Sequence, residues 1–264
     1  MKQVQDELDW QKQYDNLNAE LKKMIRRVFD LEHEREDFVE MLNLVGVKEG
    51  DLIIDLGANL GQQIDPALDA GAEIHAFEPH PLISSFLRKK YGHLSNVLVK
   101  SVAAGASSGK FRLFYKGDGS DINGGASLVP WKMQEGDDPI KRSAKETDSK
   151  FADVETIDIS EYILSLDRQV KILKIDIEGL EYEVLSRLVH TGAIDKVDFI
   201  FFEDHSDCFL FLPWFAGAIH SLKMLEDKIV RGGETKVYMW NGTPDIEPLN
   251  KSLILDLKNM LEKK

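Results

Sequence analysis

The run Leu52-Ile53-Ile54-Asp55-Leu56 passes straight into Gly57-Ala58-Asn59-Leu60-Gly61, and this junction constrains the chain more than any other stretch. A short, nearly continuous apolar run of this kind reads as a strand buried on both faces, as in a parallel sheet. The glycines that follow let the backbone turn and approach a ligand closely, because they carry no Cβ. A helix opening after them offers free N–H groups to a carboxylate or phosphate. Further apolar runs at 73–77, 97–103, 172–175 and 199–202 alternate with helical stretches near 62–70, 82–91 and 180–188. That alternation predicts an α/β fold around a parallel sheet.

The remaining segments are more varied. Residues 111–115 read as an added strand. Residues 116–150 are rich in Gly, Asp, Ser and Lys with little periodicity, and a loop of that length is expected to serve as a substrate-side lid. A helix near 214–225, strands near 228–231 and 236–240, and an amphipathic helix over 249–261 complete the pattern of a domain spanning 46–264. Residues 1–45 differ from the rest, with no Gly or Pro before Gly46. Apolar residues recur at spacings of three and four: Trp10, Tyr14, Leu17, Leu21, Met24, Val28, Leu31, Phe38 and Leu42, interrupted at Arg35. This predicts a helical extension, either a coiled coil that forms a homodimer or an amphipathic helix folded back on the domain.

Charge narrows the partners. The chain carries 33 Lys and Arg against 46 Asp and Glu, a formal charge of −13. That surplus repels nucleic-acid backbones and anionic lipid, and Arg88-Lys89-Lys90 reads as a solvated helix face. The lone Cys208 excludes an intramolecular disulfide and a cysteine-rich metal site. With no signal-like N-terminal apolar segment and no run of roughly 18 apolar residues, the expected compartment is the cytoplasm, without a membrane span.

The glycine loop alone does not distinguish nucleotide cofactors, but its surroundings do. The third glycine of the dinucleotide pattern is missing. Asp55 stands two positions before Gly57, where a carboxylate can meet an ammonium group. Glu78 closes the second strand 21 residues after Gly57, where an acid binds ribose hydroxyls. Two such acids repel a pyrophosphate and suit a cofactor carrying an amine, a sulfonium and a ribose, namely S-adenosylmethionine.

Several motifs in order then resemble the FkbM-type methyltransferases over residues 51–188. Asp55-Leu56-Gly57-Ala58-Asn59-Leu60-Gly61-Gln62 is similar to that family's cofactor loop, and Ala76-Phe77-Glu78-Pro79-His80-Pro81 to its ribose-binding segment. Val102-Ala103-Ala104 with Gly109, Gly125-Ala126-Ser127-Leu128 and Val154-Glu155-Thr156-Ile157-Asp158 match its next three motifs. Leu173-Lys174-Ile175-Asp176-Ile177-Glu178-Gly179-Leu180-Glu181 matches the most specific one. The departures are Leu180, where the family has a small residue, and His80, where it has Asn. The resemblance implies a class I, Rossmann-like, seven-stranded sheet. It also implies methyl transfer to oxygen, on a hydroxyl of a sugar, polysaccharide or natural product. The expected cofactor contacts are Asp55, Gly57, Ala58, Asn59, Gly61 and Gln62 on the loop, with Glu78, Pro79, Ala103 and Asp176 beyond it.

An aliphatic hydroxyl is a weak nucleophile, so a general base is expected beyond the C-terminal strand ends. His205 is the first candidate because its ordinary pKa lies near working pH. Asp176 and Glu203 complete the candidate catalytic set. Glu181 opens a helix, where an acid simply complements the macrodipole. Asp176, Glu203 and Asp204 are oxygen donors suited to Mg²⁺, although acid clusters are common in so acidic a chain and no metal is expected. Ser127, Asn123 and Trp131 are candidates for contact with the acceptor. Two other readings share some of these features: an NAD-dependent oxidoreductase, which would need the missing glycine, and a non-catalytic assembly protein using the helical segment.

Overall fold

The computed structural model describes residues 35–115, 126–129, 150–205, 235–240 and 247–248. In chain order the elements are β1 (Leu52–Leu56), α1 (Ile64–Asp69), β2 (Glu73–Phe77), α2 (Pro81–Tyr91), β3 (Val97–Lys100), β4 (Ala103–Gly105), β5 (Gly109–Tyr115) and β6 (Lys150–Asp158). They continue with α3 (Ile159–Ser165), β7 (Val170–Ile175), α4 (Glu181–Thr191), a 3₁₀ turn (Ala193–Lys196), β8 (Val197–Glu203), β9 (Lys236–Trp240) and β10 (Glu247–Pro248). The main sheet runs β10-β9-β8-β7-β1-β2-β3. Every adjacent pair in it is parallel except β9 with β10.

All five residues of β1 are buried. Successive side chains of a strand point to opposite faces, and both faces here are covered. Ile54, Leu56, Leu173 and Phe202 pack with Ile163, Val184 and Leu188 of α3 and α4. On the other face Ile53, Ile74, Ile172 and Phe201 pack with Ile64 and Leu87 of α1 and α2. Helices on both faces of a mostly parallel sheet make this the α/β architecture read from the sequence.

Residues 35–45 are helical, and Phe38, Met41, Leu42 and Val45 are buried in that second face. Phe38 and Leu42, expected in a heptad seam, are therefore committed to the core of the domain. The rest of the seam, residues 10–31, lies outside the described residues. So do the helices near 214–225 and 249–261 and the strand near 228–231.

The expected strand 97–103 is two strands. β2 ends at Phe77 opposite Lys100, so the chain finds no partner beyond that point. It crosses to a second, three-stranded sheet of order β4-β6-β5, where Ala103 pairs with Thr156. Helix α3 was not anticipated. It is short, but Asp158 caps it by accepting from Ser160 N at 2.9 Å and Glu161 N at 3.3 Å.

Candidate functional site

Strand order reverses at β1, which has β2 on one side and β7 on the other. The carboxyl ends of such strands open a crevice where ligands bind. A cavity of about 630 Å³, including its open mouth, lies there. Gly57, Asn59, Glu78 and Pro79 line one part of it, Asp176, Ile177, Glu178 and Leu180 another, and Ala103, Leu113, Ala126 and Leu128 form an apolar wall.

Gly57 has φ +82, and a Cβ there would lie 1.8 Å from the Asp176 carbonyl oxygen. The tips of β1 and β7 thus touch through bare backbone. Gly57 N and Ala58 N both donate to Phe77 O at 3.0 Å, fixing the loop to β2. Glu78 closes the cradle: its carboxylate accepts from Asn59 N at 2.9 Å and His80 N at 2.7 Å. Burial pushes its pKa up to about 7 despite those two donors. A carboxylate buried at a cavity wall is suited to ligand hydroxyls, which donate to it as water would.

A second cluster forms at the ends of β7 and β8. Lys174 is 1% exposed, with its ammonium 3.3 Å from Asp55 Oδ1 and 3.2 Å from Asp176 Oδ2. The turn after β7 is unusual, with Glu178 at φ +60 and Gly179 at φ +123. His205 lies 3.0 Å from Glu181 through Nδ1, while its Nε2 lies 3.3 Å from Glu178 and 3.7 Å from Glu203. Burial alone would lower the His205 pKa. The Glu181 hydrogen bond and the charges of Glu181, Asp176 and Glu203 outweigh it and raise the value to about 9. Glu203 is pushed up to about 8, first by burial and then by the charge of Asp176, with which it also shares a hydrogen bond.

These placements redistribute the expected roles. Of the expected cofactor contacts, Gly57, Asn59, Glu78, Pro79, Ala103 and Asp176 line the cavity, whereas Asp55, Ala58, Gly61 and Gln62 do not. Asp55 is fully buried and faces the ammonium of Lys174 rather than that of a ligand. Gly61 packs against α2, where a Cβ would meet Leu87 at 2.9 Å. The structure brings Asp176, Glu203 and His205 together, and the raised pKa of His205 favours its protonated form at neutral pH. Ser127 is 2% exposed and donates to Glu178 O at 2.6 Å. It ties its loop to the turn instead of facing an acceptor. Asn123 and Trp131 lie outside the described residues.

Of the oxygen donors considered for a metal, Asp176 and Glu203 stay together and Asp204 is drawn elsewhere. Asp204 accepts from Tyr182 OH at 2.8 Å, and among the described residues the group close enough to share an ion is Asp176, Glu178 and His205. Lys174 and the charged His205 already bring positive charge to those carboxylates. The sequence reading missed Ile83, Leu113 and Ile177 at the cavity; an apolar residue carries no signal that its face is a ligand's wall. Among the described residues, no helix is long and apolar enough to cross a membrane.

Residues 55–216 match the family model described as the methyltransferase FkbM domain. No curated protein matches the chain. Two solved structures are similar to it. A TehB-like SAM-dependent methyltransferase from Corynebacterium glutamicum has 9% identity and a TM-score of 0.30, over 85% of this chain and 71% of that one. A putative sarcosine dimethylglycine methyltransferase from Galdieria sulphuraria has 11% identity and a TM-score of 0.33, over 86% of this chain and 60% of that one.

Proposed function

The chain belongs to the FkbM methyltransferase family, and from that premise we propose that it methylates a hydroxyl oxygen of a sugar, polysaccharide or natural product. S-adenosylmethionine is its cofactor and supplies a methyl group on a sulfonium, open to in-line displacement by a nucleophile. Membership in a methyltransferase family removes the reason to read the glycine loop as a nicotinamide site. The observation that carries the proposal is that one crevice is lined by both Glu78 and Asp176. Glu78 suits ribose hydroxyls, and Asp176 shares a hydrogen bond with Glu203.

In this reading the bare backbone at Gly57 gives the ligand its close approach, and Glu78 accepts from the ribose. The apolar wall of Ala103, Leu113 and Leu128 excludes water from the adenine side. Asp176 steers the acceptor, and Glu203 takes its proton. A base with a midpoint near 8 is better matched to a hydroxyl than an ordinary carboxylate. His205, held as a cation, keeps that charge-dense corner together. The heptad pattern upstream of residue 35 supports self-association of the N-terminal segment, and residues 116–150 remain the proposed lid. The methyl acceptor is tested with radiolabelled methyl donor and a panel of free sugars, glycosides, amines and carboxylic acids. Label on a glycoside hydroxyl supports the proposal, and label confined to amines or carboxylates overturns it.

Two further results are expected. Glu203→Gln lowers the methyl-transfer rate by about 10²-fold and removes its rise with pH, whose midpoint in the parent chain lies near 8. A rate unchanged by this substitution rules Glu203 out as base. Cofactor affinity should also depend on Glu78. Its charged form accepts hydroxyl donors better, so affinity is full above the midpoint near 7 and lost as pH falls through it. Calorimetry should find S-adenosylhomocysteine bound about tenfold more weakly at pH 6 than at pH 8. Glu78→Gln should flatten that dependence.

A further inference from the structure

We propose that Glu181 is a positioning residue for methyl transfer: one buried carboxylate oxygen ties the turn after β7 to His205 and aims the Nε2 edge of that ring at Glu178 and Glu203. This inference rests on reading the Asp176, Glu203 and His205 cluster as the acceptor side of the site.

Glu181 is 1% exposed although it is the first residue of α4. An acid placed there only for the helix dipole has no need to leave solvent, as the exposed Glu183 one position beyond its neighbour illustrates. Its Oε1 instead accepts from Ile177 N at 3.1 Å, Gly179 N at 2.9 Å and His205 Nδ1 at 3.0 Å. Those two amides flank Glu178, the non-glycine residue held at φ +60. One oxygen therefore fixes the strained turn that presents Asp176 and Glu178 to the cavity. The same oxygen fixes the ring from the end of β8. An imidazole that donates from Nδ1 to a buried carboxylate has its tautomer and its orientation set.

The groups facing the ring come from four places. Glu178 and Glu181 lie on the turn and on α4, Glu203 on β8, and Asp176 at the end of β7 with Lys174 behind it. With the Nδ1 edge bound to Glu181, the Nε2 edge is left to the acceptor side. There it holds Glu178 and Glu203 near one positive charge. Glu181 touches no reacting atom in this scheme, but it decides where the atoms beside it stand.

The test is nitrogen-resolved NMR of His205 in the full chain, alone and with S-adenosylhomocysteine. In the parent protein the ring should titrate near 9 and deprotonate to the Nδ1–H tautomer. Glu181→Gln keeps an oxygen for the two amides but loses the charge. It should lower the midpoint by about 1–2 units while S-adenosylhomocysteine still binds, and Glu178→Gln should shift it less. A parent midpoint below 7, an Nε2–H tautomer, or a larger shift from Glu178→Gln than from Glu181→Gln would overturn the role. The parent measurement decides even if Glu181→Gln fails to fold. Intact S-adenosylhomocysteine binding with the wrong tautomer refutes Glu181 alone, whereas no binding to the parent chain refutes the methyltransferase site itself.

Discussion

Gly57→Ala is expected to abolish detectable binding of S-adenosylmethionine and S-adenosylhomocysteine, a weakening of more than about 100-fold, and to destabilise the fold by about 3 kcal/mol. The new methyl carbon would sit 1.8 Å from the Asp176 carbonyl oxygen and 3.0 Å from its carbon. That oxygen is backbone and cannot swing away like the end of a side chain. It is further held because Asp176 N donates to Leu56 O at 3.1 Å. The strand tips must therefore part, and the crevice between them is the ligand site. Gly50→Ala is the control. It has nearly the same φ, +80, but nothing within 4 Å of the added carbon. It should carry only the conformational penalty, about 1–2 kcal/mol, with binding intact. Calorimetry and chemical denaturation on the two variants separate close approach from backbone strain. Equal binding by both would show that the contact between β1 and β7 does not form the site.

Lys174→Met is expected to cost about 3–5 kcal/mol, the range for removing one partner of a buried ionic group. The ammonium lies between Asp55 and Asp176 and also reaches Gly57 O at 3.4 Å. Asp55 is fully enclosed, and burial already raises its pKa against the pull of Lys174. Without the lysine the raised pKa moves higher still. A carboxyl whose folded pKa lies above its unfolded value binds extra protons in the folded state, so the variant regains stability as pH falls through the folded value. Denaturation at pH 5 and pH 8 should show the deficit shrinking at the lower pH. Adding Asp55→Asn to Lys174→Met should restore at least half of the loss at pH 8. A deficit under about 1 kcal/mol, or one independent of pH, would contradict the assignment of Lys174 as the counter-ion.

The parallel sheet was legible because β1, β2, β7 and β8 are short apolar runs whose pattern depends on burial from both sides. The cradle was legible because a glycine and an acid at fixed offsets from strand ends follow from topology alone. Asp55 stands off the cavity lining for a physical reason. Its position in sequence places it near the ligand, but residues of a strand alternate between faces and neighbours, and Lys174 on the adjacent strand claimed it. The shifted pKa of His205 was hidden for a related one. A reference pKa describes a ring in water, and carboxylates from the turn after β7, from α4 and from the end of β8 converge on this one. Glu181 was read as a helix-opening acid because no local pattern reveals that a side chain folds back onto the preceding turn. Phe38 and Leu42 show the same limit in the hydrophobic pattern. A periodic apolar stripe states that a helix face must be covered, not by what.

The bond from Ser127 to the carbonyl of Glu178 has a consequence for how such a protein diversifies. Ser127 also exchanges backbone hydrogen bonds with Phe114, at 2.8 and 2.9 Å, so one point of the loop is pinned to both β5 and the turn after β7. Ala126 and Leu128 stand on either side of the pin and line the cavity, so a substitution at Ser127 would disturb the wall, the edge of β5 and the turn after β7 together. Selection for a new acceptor is therefore constrained at Ser127, where one residue serves three parts of the site.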